Sequence, residues 1–260
     1  MKKALSLLLA LSMTLALTAC GSTGTDGSQS TADPETVEAQ DSAEPVELIV
    51  FAAASLTETL DEIIEDYKSV APNVTVIPTY DSSGTLLDQI QAGAECDLFL
   101  SAGASQMDTL EEDGGVLEGS RLDLLENKVA LAVPEGNPKG IESFDQLSEL
   151  LKSGDVALAI GNSDVPVGQY TQKIFTYYGL DEASLASAGV LTYGSNVKEV
   201  TTQVSEGAVD CGIIYATDAF SAGLTTVDGA TAEMCGQVIY PAAVVASSQH
   251  PDEAQAFLDY

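Results

Sequence analysis

The sequence predicts an α/β protein folded as two small lobes, and three observations carry that prediction. Short apolar runs of strand length alternate with segments of helical periodicity along most of the chain. The runs are continuous rather than alternating, as in sheets covered by helices on both faces. The alternating body spans about 215 residues, with enough strand–helix units that two lobes fit better than one large sheet.

Taken in order, Glu47–Ala53 is the first strand. Leu56, Leu60, Ile63, Ile64 and Tyr67 then recur at i, i+4, i+7, i+8 and i+11, one face of a helix. Asn73–Pro78 alternates as a strand, and Leu86, Leu87 and Ile90 begin a second helix. Cys96–Leu100, Lys128–Pro134 and Val156–Ile160 are further buried strands, with helices expected over Tyr170–Tyr178 and Val197–Ser205. Cys211–Tyr215 and Gln237–Val245 supply the later strands, and a last helix starts at Pro251.

Residues 1–19 read as a targeting leader rather than fold. Lys2 and Lys3 precede an apolar run, Ala4–Ala16, too short for a comfortable membrane span. Small residues then lead into Cys20, the pattern of a bacterial lipoprotein signal, cleaved before Cys20 so that the cysteine carries lipid. Residues 20–45 are rich in Ser, Thr, Gly, Asp and Glu and bury too little apolar surface to fold, so they are expected to tether the body flexibly. Cys96, Cys211 and Cys235 show no C-x-x-C spacing and no His partner, which supports buried thiols over a zinc site or a nucleophile.

Charge removes several functions. The chain holds 9 Lys+Arg against 40 Asp+Glu, a net charge of −31. Nucleic-acid binding depends on clustered cations and is not expected. Arg121 and His250 are the sole residues of their kinds, leaving phosphoryl clamps and His-centred acid–base chemistry short of parts. There is no P-loop motif and no G-x-S-x-G elbow.

What remains is a row of helix starts. Ser55 with Glu58 has capping-box spacing, Ser82, Ser83 and Gly84 crowd the next start, Pro166 and Gly168 feed a third, and Asn196 suits the N-cap of a fourth. Tyr215 ends a strand on a phenol. Each taken singly is what a helix cap or a core aromatic requires. Together they offer unpaired N–H groups and hydroxyls to one anion without any cation.

FAAASLT (Phe51–Thr57), SSGTLLDQIQAG (Ser82–Gly93), DLFLSA (Asp97–Ala102), NSDVPVGQY (Asn162–Tyr170), DCGIIYATDA (Asp210–Ala219) and YPAAVV (Tyr240–Val245) occur in that order. This series resembles the molybdate-binding periplasmic proteins of ABC uptake systems across essentially the whole body. The resemblance implies a two-lobed type II periplasmic-binding-protein fold with a hinged cleft, lobe one being 46–127 plus 237–260 and lobe two 128–236. It implies ligand donors at Ser55, Ser83, Val167, Val197 and Tyr215, the two valines through backbone N–H, with Val167 larger than the residue usual there. Gly84 stands where relatives often carry a hydroxyl. A further helix beyond the position of Tyr260 is also implied.

The expected ligand is molybdate or tungstate, held as an oxyanion with no cofactor and no free metal cation, by a monomer anchored through Cys20 at the outer face of the cytoplasmic membrane, or periplasmic. Its partners would be an ABC permease and its ATPase. Sulfate, another unprotonated dianion, and iron(III) are the alternatives; an exported serine hydrolase would need a base that His250, far along the chain, does not supply.

Overall fold

The computed structural model describes residues 44–260. The leader over 1–19, Cys20 and the tether up to residue 43 lie outside the described residues. Among those described, no helix is long and apolar enough to cross a membrane.

Strands β1 (Val46–Ala53), β2 (Val74–Asp81), β3 (Leu98–Leu100), β4 (Leu122–Asn127) and β10 (Val238–Val244) form one sheet in the order β2-β1-β3-β10-β4. Strands β5 (Val129–Val133), β6 (Leu158–Gly161), β7 (Leu191–Gly194), β8 (Cys211–Tyr215) and β9 (Thr225–Gly229) form a second, ordered β7-β6-β8-β5-β9. Lys128 alone separates β4 from β5, and the chain returns to the first sheet after Gly229.

Both sheets are mixed. β1, β2 and β3 run parallel, whereas β10 pairs antiparallel with β3 and β4. β6, β7 and β8 run parallel, whereas β5 pairs antiparallel with β8 and β9. The central strands are buried along their whole length, which is why β3, β5, β6 and β8 read as unbroken apolar runs.

Helices cover both faces. On the first sheet, α1 (Thr57–Tyr67) and α10 (Pro251–Asp259) meet on one side, where Tyr67 packs edge-on against Phe257 with centroids 4.8 Å apart. α2 (Ser83–Gln91) and α3 (Ala104–Glu112) cover the other, burying Leu86, Leu87, Met107 and Leu110 against Phe51 and Phe99. On β8 of the second sheet the alternation of side chains does the sorting. Ile213 points to Phe144 and Leu147 of α4 (Phe144–Ser153) and Ile174 of α5 (Pro166–Tyr177). Gly212 faces the opposite way, where a Cβ would stand 2.5 Å from Val204 of α7 (Val197–Ser205). Short helices α6 (Glu182–Ser187), α8 (Ala216–Ser221) and α9 (Ala232–Cys235) complete the set.

Several sequence expectations are corrected at their edges. The helix expected from Tyr170 begins at Pro166, because proline in the first turn needs no intrahelical N–H bond and is fixed near the helical φ. Ser55 is not a cap: it lies within a 3-10 turn, Ala54–Leu56, that precedes α1 and has no side-chain cap bond. Ile63, placed on the inner face of α1, is 38% exposed; only Leu60 and Tyr67 of that helix are fully buried. Strands β4, β7 and β9 carry mostly half-buried and exposed residues and lack an apolar run, so periodicity did not mark them.

The carboxyl ends of the parallel strands matter most. β1, β2 and β3 end together at Ala53, Asp81 and Leu100, and β6, β7 and β8 end at Gly161, Gly194 and Tyr215. The helix starts that follow them come from two sheets and gather in one place. At β6 the helix comes very close to its strand: a Cβ on Gly168 would lie 2.1 Å from the Asn162 carbonyl oxygen and 2.5 Å from that of Gly161. Gly168→Ala should therefore cost at least about 1–3 kcal/mol of folding stability, the usual range for overpacking, measured by urea unfolding. Wild-type stability in that variant would show that the α5 start shifts freely.

Candidate functional site

One small, partly open pocket lies where these helix starts meet, with a volume of about 10 Å³, near the least that holds one water. Its wall combines Ala53, Ala54, Ser55, Asp81, Ser82, Ser83 and Ala102 from the first lobe with Val165, Pro166, Val197 and Tyr215 from the second. Ser55, Ser83, Val197 and Tyr215 are thus brought together. Val167 is fully buried and does not line the cavity with its side chain; Val165 and Pro166, just before it, do.

Hydrogen bonds to other strands hold both serine hydroxyls in place. The Asn127 side-chain amide donates to the Tyr240 hydroxyl at 3.1 Å, and the Tyr240 and Ser55 hydroxyls are 3.0 Å apart. Either hydroxyl can be the donor of the Ser55–Tyr240 bond, so Asn127, Tyr240 and Ser55 form a chain of hydrogen bonds that ends at the cavity wall. At Ser83 the direction is definite, because its hydroxyl oxygen accepts the Ala102 N–H at 2.9 Å. The Ser83 oxygen already holds a protein donor, so this hydroxyl is positioned to give its own proton to a ligand. The Tyr215 hydroxyl donates to the Ala102 carbonyl at 3.2 Å, a bond that an anion in the cavity would compete for.

The helix starts supply the second kind of donor. Ser83 and Val197 are the first residues of α2 and α7, and Val167 is the second of α5; N–H groups in a first turn have no intrahelical acceptor. Caps on neighbouring residues hold these turns open. Ser82, rather than Ser83, caps α2 by accepting the Thr85 N–H at 3.1 Å, and Asn196 caps α7 by accepting the Glu199 N–H at 3.1 Å.

The aromatic groups stay neutral. Burial pushes the Tyr215 and Tyr240 phenols well above their ordinary value and that of Tyr170 up to about 12, so all three remain hydroxyls at neutral pH. Their rings stack edge to face, Tyr215 lying 5.5 Å from Tyr240 and 6.4 Å from Tyr170 between centroids. Burial likewise pushes the Cys96 and Cys211 thiols to about 12, and with Cys235 they are free, buried thiols. His250 sits at the start of α10 and takes no part in the cavity wall.

Two residues that sequence reasoning missed shape the site. Tyr240 belongs to the quoted YPAAVV segment, but nothing in an apolar run announces that its hydroxyl reaches Ser55, 185 positions away. Asp81 ends β2 and is the only charged side chain in the wall. Its Oδ1 accepts the Ser82 N–H at 2.7 Å and the Asn196 amide at 3.5 Å across the cleft. The wall is therefore not made of donors alone. Gly84 also has a role other than a lost hydroxyl: a Cβ there would lie 2.2 Å from the Asp164 carbonyl oxygen of the opposite lobe.

Beside the cavity, Lys198 of α7 reaches both carboxylate oxygens of Glu58 in α1, at 2.8 and 2.7 Å. Behind it lies Asp218 of α8, whose side chain is wholly buried and whose two oxygens make no hydrogen bond; Lys198 Nζ stands 3.4 Å from Oδ1. Burial, helped by the Glu58 charge and opposed by Lys198, pushes the Asp218 carboxyl from an ordinary 3.8 to about 6.

Two sheets joined by short crossings, with donor-rich helix starts closing on one cavity, define a two-lobed protein that binds a small solute between its lobes. The chain belongs to the bacterial extracellular solute-binding protein family, which it matches over residues 48–260. It is 34% identical over 221 residues to YvgL of Bacillus subtilis (strain 168), assigned as an ABC transporter substrate-binding lipoprotein, covering 85% of this chain and 82% of that one. It is 30% identical over 223 residues to the molybdate-binding protein ModA of Escherichia coli (strain K12), covering 84% of each. A solved substrate-binding domain from Clostridium difficile, assigned to a molybdenum ABC transporter, is 32% identical with a TM-score of 0.60, covering 82% of this chain and 91% of that one. An aconitate isomerase from a Pseudomonas species is also related, at 26% identity over 226 residues, 84% of this chain and 83% of that one.

The Asp218 shift has a pH consequence whose sign is fixed. A carboxyl raised on folding favours the folded state fully below its unfolded value, and that contribution is lost as pH rises through the folded value. Between about pH 4 and 6 the Asp218 contribution should fall by on the order of 3 kcal/mol. Urea unfolding of wild type and Asp218→Asn across this range tests it: the gap should move in favour of the variant as pH rises. A gap that stays constant would show that Asp218 is charged throughout.

Proposed function

We propose that the chain captures molybdate outside the cytoplasm and hands it to the permease of an ABC importer, with an ATPase subunit supplying the energy. The observation that carries this reading is the Ser83 hydroxyl, whose oxygen is occupied by the Ala102 N–H so that its proton is left for the cavity, with the Ser55 hydroxyl in the same wall. First-turn N–H groups and neutral phenols add donors of the same sign. A fully deprotonated tetrahedral dianion accepts from all of them and needs no proton acceptor in return. The family and the relatives named for molybdate or molybdenum transport point to the same solute class. Tungstate, of the same charge and nearly the same size, would share the site.

In this reading residues 46–127 plus 237–260 and residues 128–236 move as two lobes about their crossings, and closure excludes water from the hydrogen bonds. Ser55, Ser83 and Tyr215 would donate through hydroxyls, and Val167 and Val197 through backbone N–H. The chain would act as a monomer, held at the membrane by lipid on Cys20. Binding is favoured over catalysis, because the wall offers neutral hydroxyls and one carboxylate that already accepts two hydrogen bonds. Iron(III) is disfavoured, because burial holds the neighbouring phenols of Tyr215 and Tyr240 in the neutral form.

Asp81 favours one second reading. A carboxylate in the wall suits an oxyanion that keeps a proton, such as hydrogen phosphate, and opposes a dianion. Thermal unfolding of the soluble body against sodium molybdate, tungstate, sulfate, phosphate and citrate at equal ionic strength separates the two. A ligand at about 100 times its dissociation constant adds roughly 2.7 kcal/mol, a readily visible shift. Stabilisation by molybdate and tungstate alone is expected; stabilisation by phosphate alone would overturn the dianion reading.

Ser55→Ala and Ser83→Ala should each weaken molybdate binding by about 1–3 kcal/mol, read by titration calorimetry. Full affinity in the double variant would remove both serines from the site. Gly84→Ala should also weaken binding, by about 1–3 kcal/mol, because its methyl group holds the lobes apart at the Asp164 carbonyl. Unchanged affinity there would mean that the lobes do not close this far on the ligand.

A further inference from the structure

Lys198 is shared between two carboxylates that belong to different lobes. Glu58 stands on α1 of the first lobe, and its two oxygens lie 2.8 and 2.7 Å from the ammonium. Asp218 stands on α8 of the second lobe, the same lobe as Lys198, at 3.4 Å. The shorter, two-oxygen contact is the one that crosses the cleft. The contact within the lobe is the longer one, and it leaves the fully buried Asp218 carboxylate without a hydrogen bond.

We infer that Lys198 is a positioning residue that changes partners as the cleft moves, holding Glu58 when the lobes are together and Asp218 when they part. The inference rests on the solute-binding reading for its ligand arm, but the exchange itself concerns only this chain. Opening carries Glu58 away with α1 and leaves Asp218 in place, because α7 and α8 pack in one lobe. An unpaired buried carboxylate is costly, so the ammonium released by Glu58 moves onto Asp218. Closing reverses the step: the cross-cleft pair forms, and Asp218 loses part of its cation. Each state therefore satisfies one carboxylate at the expense of the other, and the open and closed forms stay near balance.

The position of the exchange gives it a function. Lys198 follows Val197, whose residue lines the cavity at the start of α7, and Glu58 is three positions beyond Ser55. A cation tied to Glu58 holds these two parts of the wall at their closed separation. The same cation drawn to Asp218 releases them. Solute arriving between the two then adds its own bonds to a closure that the protein alone does not hold firmly.

The test sets two charge-neutral, near-isosteric variants against each other. Spin labels on Glu112→Cys and Thr176→Cys, exposed positions of opposite lobes, report lobe separation by pulsed electron resonance with no anion present. Glu58→Gln should shift the distances toward the open form, and Asp218→Asn should shift them toward the closed form. In stopped flow, molybdate should leave Glu58→Gln about fivefold faster than wild type and leave Asp218→Asn more slowly. Shifts of the same sign in both variants, or none in either, would overturn the exchange. Opposite distance shifts in a protein that binds no molybdate would uphold the exchange and overturn the ligand assignment.

Discussion

The structure depends on a constraint of charge: in a chain with 9 cationic residues and 40 acids, the wall of the pocket between the two sheets contains no cation and is lined mainly by small, hydroxyl and apolar side chains. A hydroxyl whose oxygen accepts a bond from the protein is held in place while its proton stays available. The Ala102 N–H occupies the Ser83 oxygen, and Ser55 is tied through Tyr240 to Asn127. Both arrangements need strands from distant parts of the chain. Tyr240 lies on β10, which runs antiparallel beside β3, and Asn127 ends β4 on its far side. The mixed first sheet, with β10 inserted among strands formed early in the sequence, is what brings these partners to the first serine.

Neutral donors are weak singly, so several must reach one point, and their backbones must come closer than side chains usually permit. The glycines mark where this happens. Gly168 lets the start of α5 lie against the end of β6, and Gly84 lets the start of α2 approach the loop before α5. Neither has an unusual backbone angle; both are needed for lack of space. Burial then raises the strength of each bond by removing water, and it keeps the phenols protonated, which preserves them as donors. Packing and chemistry are here the same requirement.

Much of this was legible in the sequence, for a physical reason. Strands buried on both faces must be apolar throughout, so β1, β3, β5, β6 and β8 announced themselves, and α7 began at the residue after its N-cap, Asn196, as the capping pattern implied. Strands with one exposed face, β4 and β9, carried no such run. Local rules also misassigned Ser55. Its spacing to Glu58 fits a capping box, yet the turn is 3-10, the hydroxyl goes to Tyr240, and Glu58 goes to Lys198. A tertiary hydrogen bond outcompeted a local one, and no short-range pattern records such a choice. Asp81 escaped notice because a polar residue at a strand end is ordinary until the opposite lobe arrives.

Asp81 also bears on how such a site discriminates. A wall of donors alone binds every small anion, and the more strongly the higher its charge. Setting one carboxylate among the donors subtracts from that attraction for all anions, but least for one that can return a proton to it. Asp81 is held in place by the Ser82 N–H and the Asn196 amide, both of which donate to its Oδ1. A carboxylate held in this way repels more than it accepts. On the dianion reading it would weaken all dianions together and leave the choice among them to cavity size. Gly84, at 2.2 Å from the opposite carbonyl if it carried a Cβ, marks a place where the two backbones come close enough to set that size. Selectivity among dianions then rests less on the groups that touch the anion than on the backbone contact that stops the lobes.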